Sequence, residues 1–506
     1  MSDAAHGAGR RPVGATAKSG VEANPLAAAL AAGRFCYVVE LVASALTREW
    51  RVLEVASRLA RVPQVVAGSI TSYAGGAIGH DPIRVGTAAR ARGLTPNIHL
   101  TCVSQDRHGL RKTLEDLHAL GIHNVFALTG DYPRRDGKSA AGADATAPVF
   151  DLDSVQLVRM AAEMRAGGLP FHLAVAVSPF KYVEADAMYQ YLKLEKKIAA
   201  GADLAITQVG WDARKLAELK RYLDERGLAT PLLGNVYVLG PRAAERMAGG
   251  QPPGCWVSPE LRARVREESR AADGGLRARL ERAARTVAVL HGLGYAGAYI
   301  GGTHDPEHIQ WIIRRAKDLA PEWEALAAEL HFGRADGFYL YPATPGRASS
   351  SPAPRASRPR PLLPRVLEVA GRLFPVTRDG VLRRSLRHVF AAVDRRPALA
   401  AAVEHVEQGV KGPLFGCQAC GNCVLGHLEY VCPQTCPKQM RNGPCGGTDM
   451  GRCEVVDKPC IWVGVYERAA AAGRVADLGR YVPPPDRSLR GTSSWINYFL
   501  ERDSRP

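Results

Sequence analysis

The chain has 506 residues, of which 46% are hydrophobic and 23% charged, a composition that excludes a wholly disordered, a collagen-like or a small disulfide-stabilised protein. Its 66 Lys and Arg against 50 Asp and Glu give a formal net charge of +16, which favours anionic partners. No stretch approaches the roughly 20 apolar residues that cross a bilayer, and residues 25–33 are too short for a secretory signal. We therefore predict a cytoplasmic protein without a membrane span.

Short β-prone runs and longer amphipathic segments alternate along the first two thirds of the chain. Residues 1–24 show no apolar period and are predicted to be a flexible leader. The predicted strands are residues 36–41, 64–71, 97–101, 124–128, 172–177, 204–208, 232–238 and 297–300. Eight strands with intervening helices predict a (β/α)8 TIM barrel over residues 25–345. A doubly wound open sheet is the alternative, but no G-x-G-x-x-G motif follows the first strand.

The last third of the chain changes in composition. Residues 346–365 are rich in Arg, Pro and Ser and are predicted to be an extended linker. A small α+β or irregular domain is expected over residues 366–480, followed by a Pro- and Arg-rich tail over 481–506. Eight of the eleven cysteines lie between Cys417 and Cys460, and in a cytosolic chain this clustering predicts metal binding rather than disulfides.

Polar residues stand at the carboxyl ends of the predicted strands, where barrel enzymes carry their chemistry. They are Glu40, Thr71, His99, Thr129-Gly130-Asp131, Ser178 and Gln208. Each alone is typical of a solvated rim, but two carboxylates, an imidazole and an amide around one mouth predict a catalytic site.

Several stretches resemble the methylenetetrahydrofolate reductase barrel in the same order along the chain. They are "VVEL" with Glu40, "NIHLTC", "GIHNVFALTGDYP", "KKIAAGADLAITQ" and "LLGNVYVLGP". The resemblance implies a flavin across the mouth, FAD with FMN as the alternative. It also implies interconversion of 5,10-methylenetetrahydrofolate and 5-methyltetrahydrofolate, with tetrahydrofolate derivatives as partners.

The resemblance also implies roles for individual residues. Glu40 matches the general acid, Asp131 the carboxylate near flavin and pterin, and Gln208 the amide at the pterin edge. The remaining implied flavin-binding positions are Thr71, His99, Thr129, Gly130, Phe150, Ser178 and Lys197, the last as a cation at the flavin phosphates. A solvated helix face is the alternative reading of Lys197, because "KLEKK" is an ordinary charged helix.

The sequence departs from the family pattern at three places. Leu41-Val42-Ala43-Ser44 replaces an aromatic, Pro-rich continuation, Ser178 stands where many members carry Tyr, and "GAYIGGTHDPEH" replaces an aromatic-Thr-Leu-Asn-Arg run. These changes bear on the nicotinamide surface and the folate tail, so direct reduction by NAD(P)H stays open.

Eight cysteines form the candidate metal site. They are Cys417, Cys420, Cys423, Cys432, Cys436, Cys445, Cys453 and Cys460. Eight thiolates suffice for two four-iron four-sulfur (4Fe-4S) clusters, and one or two are expected; two zinc sites of four cysteines each are the alternative. "CQACGNCVL", "CPKQMRNGPCGG" and "CIWVGVYERA" resemble the methylenetetrahydrofolate-reductase-associated C-terminal domain, a separate small subunit in acetogenic bacteria.

That second resemblance implies an electron path from a donor through the clusters and flavin to folate, with an acidic ferredoxin or flavodoxin as partner. A different class of function is a non-catalytic folate- or flavin-binding barrel, whose structural zinc module recruits a methyltransferase or corrinoid protein. Nucleic-acid binding is the least supported class, because few aromatics interleave with the Arg-rich flanks. A homo-oligomer is left open.

Overall fold

The computed structural model describes residues 24–42, 48–72, 80–133, 147–341 and 381–503, with short pieces at 343–344, 347–348, 362, 364–366 and 369. Eight parallel strands form a closed barrel in which each strand pairs with its sequence neighbours and β8 returns to β1. They are β1 (Cys36–Leu41), β2 (Val65–Ile70), β3 (Pro96–Thr101), β4 (Asn124–Leu128), β5 (His172–Val177), β6 (Leu204–Thr207), β7 (Leu232–Tyr237) and β8 (Gly297–Gly301). The predicted (β/α)8 barrel is confirmed, and the open sheet is excluded.

Helices cover the outer face of the barrel and one helix precedes it. They are α1 (Pro25–Ala31), α2 (Glu49–Leu59), α3 (Pro82–Arg90), α4 (Arg107–Ala119), α5 (Ser154–Ala166), α6 (Glu184–Ala199), α7 (Ala213–Glu225), α8 (Pro241–Ala248), α9 (Pro259–Glu268), α10 (Leu276–Gly292), α11 (Pro306–Leu319) and α12 (Trp323–Glu329). The strands are buried on both faces because the helices cover one face and the barrel interior the other.

The C-terminal region has few regular elements. A short antiparallel pair, β9 (Ala343–Thr344) and β10 (Arg347–Ala348), precedes α13 (Val381–Asp394), α14 (Pro397–Phe415), α15 (Ile461–Ala471) and α16 (Ser494–Phe499). Loops and short 3-10 turns carry the cysteines between α14 and α15.

This region shares one hydrophobic core with the barrel. Trp462 and Tyr466 of α15 are buried against α6, and the Trp462 ring meets Tyr189 edge-on at a centroid distance of 5.5 Å. Several polar residues of α6 are buried as well: Asp186, Gln190, Lys193, Lys196 and Lys197.

The predicted tail is part of the fold over its described residues. Val482, Ile496 and Phe499 are buried, and the Val482 backbone exchanges hydrogen bonds with the Asn442 side chain. Apolar side chains spaced among the Pro and Arg residues explain this packing. The predicted leader up to residue 23 and most of the predicted linker lie outside the described residues. Among the helices described, none combines the length and apolar character needed to cross a bilayer.

Candidate active site at the barrel mouth

A cavity of about 260 Å³ occupies the carboxyl-terminal mouth of the barrel. Nine predicted site residues line it: Glu40, Thr71, His99, Thr129, Gly130, Asp131, Ser178, Lys197 and Gln208. Phe150 does not line this cavity. It is buried, stacks on Tyr132 at 6.0 Å, and lies 5.7 Å from the Lys438 ammonium group.

Glu40 lies near the end of β1 and points into the mouth. Burial raises the pKa of Glu40 to about 7. Gly301 of β8 makes room for the carboxyl, since a Cβ there would come within 2.8 Å of Glu40 Oε2. The site therefore holds a carboxylic acid that keeps its proton up to neutral pH.

His99 lines the cavity with an imidazole ring that is buried and uncharged. Its Nε2 lies 3.0 Å from Ser69 Oγ and 3.3 Å from the Tyr299 hydroxyl, and Asn97 donates to the same Ser69 oxygen. Burial lowers the pKa of His99 to about 3, so the ring is an uncharged imidazole at physiological pH.

The segment Thr129-Gly130-Asp131 turns sharply where β4 ends. Gly130 has a φ of +90°, and a Cβ there would lie 3.1 Å from side-chain atoms of Thr101 and Val103. The Gly130 carbonyl accepts a hydrogen bond of 2.8 Å from Lys438 Nζ. A residue from the C-terminal region thus fixes the segment that carries Asp131.

Lys197 is buried at the cavity wall rather than solvated. Its Nζ donates to the Ala176 carbonyl at 2.6 Å, and burial lowers the pKa of Lys197 to about 7. The solvated-face reading of "KLEKK" is wrong for the lysines, because Lys193 and Lys196 are buried beside it.

Two polar atoms at the mouth are buried without a hydrogen-bond partner among the described residues. They are Ser178 Oγ and Asn235 Oδ1. Buried polar atoms are nearly always satisfied, so this pair indicates the position of a polar ligand. Asn235 was missed from the sequence, although it lies in "LLGNVYVLGP" two residues before the end of β7.

The cysteine-rich region closes the mouth, which the sequence did not predict. Its residues that line the cavity are Lys438, Pro444, Cys445, Gly446, Gly447 and Glu454. Lys438 and Glu454 form an ion pair in which both side chains are almost fully buried. The cavity is therefore lined by both the barrel and the cysteine-rich region.

Side chains of the barrel hold the 444–448 segment through its carbonyls. Lys193 Nζ donates to the Pro444 carbonyl at 2.9 Å, Gln190 Nε2 to that of Cys445 at 3.0 Å, and Lys181 Nζ to that of Gly446 at 2.8 Å. These contacts explain how α6 can bury a row of polar side chains.

The eight cysteines divide into two groups of four free thiols. The first thiol set is Cys417, Cys420, Cys423 and Cys432, which together line one small cavity. The second thiol set is Cys436, Cys445, Cys453 and Cys460; the pKa values of Cys436, Cys445 and Cys460 are raised, chiefly by burial and in part by other members of the set. Within the described ranges, no three His, Cys, Asp or Glu side chains converge closely enough to hold a single metal ion.

Buried cations lie beside both sets. Lys411 Nζ is 3.5 Å from Cys423 Sγ of the first set. At the second set, burial and Glu454 raise the pKa of Cys445, to about 12, while Lys438 acts in the opposite direction. Neighbouring cations favour thiolates, which are the form that ligates metal.

The fold and this mouth define a (β/α)8 barrel whose site is completed by a cysteine-rich domain. Residues 26–249 match the family model described as "Methylenetetrahydrofolate reductase". Residues 396–488 match the model described as "Methylene-tetrahydrofolate reductase C terminal". The chain carries a methylenetetrahydrofolate reductase family barrel joined to that C-terminal domain.

Curated relatives match the sequence of this chain over part of the barrel. A 5,10-methylenetetrahydrofolate reductase of Salmonella typhimurium is 29% identical over 145 residues, which cover 28% of this chain and 44% of the relative. A methylenetetrahydrofolate reductase (NADH) of Arabidopsis thaliana is 32% identical over 165 residues, covering 30% of this chain and 26% of the relative. The chain thus spans less than half the length of these relatives.

A solved structure aligns over a longer stretch. It is described as "Uncharacterized protein from Clostridium thermocellum binds two copies of 5-methyl-5,6,7,8-tetrahydrofolic acid" and covers 59% of this chain and 99% of its own. The identity of 12% and the TM-score of 0.42 are too low to support a functional argument.

Proposed function

We propose that this chain is a flavin-dependent 5,10-methylenetetrahydrofolate reductase whose cysteine-rich domain exchanges electrons with the flavin. The observation that carries the proposal is the convergence of nine strand-end and helix residues on one cavity, with the Glu40 carboxyl among them. The pKa of that carboxyl, raised to about 7, suits proton donation at physiological pH.

In the proposed reaction Glu40 holds the proton that the substrate needs. Opening the five-membered ring of methylenetetrahydrofolate requires a proton on the departing amine nitrogen, and the Glu40 acid supplies it. The Asp131 carboxylate then stabilises the positive charge that develops on the folate. Gln208, whose Oε1 accepts from the Val209 backbone at 2.9 Å, orients the pterin edge.

The residues at the mouth fit a flavin, which when bound supplies the hydride. Thr71, Thr129, Gly130 and His99 would hold it by hydrogen bonds, and the unpartnered Ser178 hydroxyl is a further donor or acceptor. Lys197 would be protonated beside a bound anion, because a phosphate next to a buried lysine raises the pKa of that lysine. FAD and FMN fit these contacts equally, and Phe150 stacks on Tyr132, the residue that follows Asp131.

The two thiol sets fit two 4Fe-4S clusters. Four free thiols with buried cations close by suit a cluster of negative charge, and the second set adjoins the mouth through Cys445. The chain's net charge of +16 suits an acidic ferredoxin or flavodoxin as donor. Zinc at the thiol sets and NAD(P)H as donor are the alternatives.

Anaerobic stopped-flow measurement of the two half-reactions of Glu40→Gln tests the function. We expect flavin reduction by reduced methyl viologen at the wild-type rate, and a reoxidation by methylenetetrahydrofolate that is slower by about 10²–10⁴-fold, the usual contribution of a general acid. Glu49→Gln, which changes a carboxylate on the outer helix α2, is the matched control.

Equal losses in both half-reactions of Glu40→Gln would remove the acid role. Wild-type protein that binds flavin and folate but never reoxidises its flavin would overturn the reductase in favour of a non-catalytic binding barrel.

A further inference from the structure

Arg441 carries a buried positive charge that no described group neutralises by a direct contact. Its side chain is 1% exposed, and Nε, Nη1 and Nη2 all lack a hydrogen-bond partner among the described residues. The residue lies in the loop between Cys436 and Cys445, and its backbone N–H donates to Asp153 Oδ2 at 3.1 Å. An unpaired buried guanidinium is strongly unfavourable, so we expect a compensating anion beside it.

The neighbouring carboxylate is already used. Asp153 Oδ2 accepts three hydrogen bonds from the backbone of Arg441 and from the backbone and side chain of Asn442. Its Oδ1 caps α5 by accepting from Val155 and Gln156. Asp153 therefore positions the Arg441 backbone and offers little to the guanidinium.

The other neighbours that act on Arg441 are thiols of the first set, which become anionic when they bind metal. Burial lowers the pKa of Arg441, and the groups that oppose this are Cys420, Asp153, Cys432 and Cys423. Three of the four thiols of the set thus act on the same guanidinium, whose five N–H donors have no hydrogen-bond partner among the described residues.

We propose that Arg441 is a positioning residue that donates hydrogen bonds to the anionic iron–sulfur cluster of the first thiol set and raises the reduction potential of that cluster. This inference rests on the cluster module in the proposed function. Four thiolates give the cluster a net negative charge, and one-electron reduction adds another without requiring a proton. A fixed cation beside it stabilises the reduced state more than the oxidised state.

The other buried cations of the domain are already compensated. Lys411, on Cys423, also donates to Glu407 Oε1 at 2.7 Å and to Ser494 Oγ at 2.8 Å. At the second set, Lys438 is paired with Glu454 and bonded to the Gly130 carbonyl. Arg441 is therefore expected to affect one cluster of the two.

The test is a dithionite redox titration of the holoprotein, followed by electron paramagnetic resonance, with iron and zinc analysis of each sample. In Arg441→Met we expect one of two cluster midpoint potentials to become more negative while the other stays unchanged. Arg441→Lys, which keeps the charge but has fewer donors, should shift the same signal less. Arg474→Met, which removes an arginine paired with Glu429 in the same domain, is the control.

If Arg441→Met loses iron, the midpoint potentials are measured in Arg441→Lys instead. Unshifted potentials in that variant then overturn the inference. Unchanged potentials with full iron in Arg441→Met overturn it too, and leave the proposed reductase standing. Wild-type protein with zinc and no iron overturns both the inference and the cluster module.

Discussion

The barrel mouth and the thiol sets both bury titratable groups, and burial raises the pKa at both, yet only the thiols have cations beside them that oppose this effect. At Glu40 burial raises the pKa to about 7, which keeps a proton for transfer. At the thiols, cations oppose burial: Lys438 acts on Cys445, and Arg441 acts on Cys420. Burial favours the neutral acid at both places, and the cation beside each thiol moves its pKa back toward the anion that a metal needs. The comparison is between a proposed proton donor and proposed metal ligands, one of which, Cys445, lines the same cavity as Glu40.

The largest expected effect tests whether the two thiol sets are separate centres. Cys445→Ala in the second set should remove about half of an expected total of about eight irons. It should also abolish reduction of the flavin by reduced methyl viologen, because this set adjoins the mouth. Metal analysis and bleaching of the flavin band under anaerobic conditions measure both effects.

Cys432→Ala should likewise remove about half of the iron, from the first set. Cys255→Ala, which changes a buried cysteine outside both sets, is the control and should keep all of the metal. Loss of all the metal from either set variant would show one shared centre and end the comparison.

The next effect concerns the buried ion pair within the cysteine-rich region, whose Lys438 also donates to the Gly130 carbonyl of the barrel. Lys438→Met leaves Glu454 buried without its cation, and breaking such a pair typically costs about 3–5 kcal/mol in the free energy of unfolding. Equilibrium denaturation of the loaded protein measures it. The double variant Lys438→Met/Glu454→Gln should recover much of the loss, since neither charge is then left alone.

Equal stability of the single and double variants would mean that the pair is not coupled in solution. The stabilising effect of Lys438 would then come from its hydrogen bond to the Gly130 carbonyl.

The smallest effect is a pH dependence that belongs to the mouth. Because the acid form of Glu40 donates the proton, and the pKa of Glu40 is about 7, the rate of flavin reoxidation by methylenetetrahydrofolate should be independent of pH below pH 7. Above pH 7 it should fall about tenfold per unit, as the protonated fraction does. Stopped-flow rates across this range measure it, and Glu40→Gln should lose the dependence. A rate that rises above pH 7 would contradict the assignment.

The free energy of unfolding should also depend on the protonation of Glu40. The folded pKa of about 7 lies above the ordinary 4.5, so the contribution of the Glu40 proton is full below pH 4.5 and is lost as pH rises through 7. Between pH 4 and pH 8 the free energy of unfolding of Glu40→Gln should therefore rise by about 3 kcal/mol relative to that of the wild type.

The sequence by itself determined the barrel and most of the mouth. Strand positions follow from local apolar runs, and parallel strands in a closed barrel bring their carboxyl ends together, so residues far apart such as Glu40 and Gln208 could be placed at one site. The roles assigned to those residues remain proposals.

Only the tertiary structure decided what covers that mouth and which charges are buried. Lys197 lies in a helix whose charged residues predict exposure to solvent, yet it is buried and donates to the Ala176 carbonyl, while its neighbour Lys193 is held by the Pro444 carbonyl. Lys438, Glu454 and Arg441 gave no local signal, since their burial depends on carbonyls, carboxylates and thiols brought together from separate parts of the chain. Local patterns encode periodicity, whereas the compensation of a buried charge is set by partners that only the folded chain brings into contact.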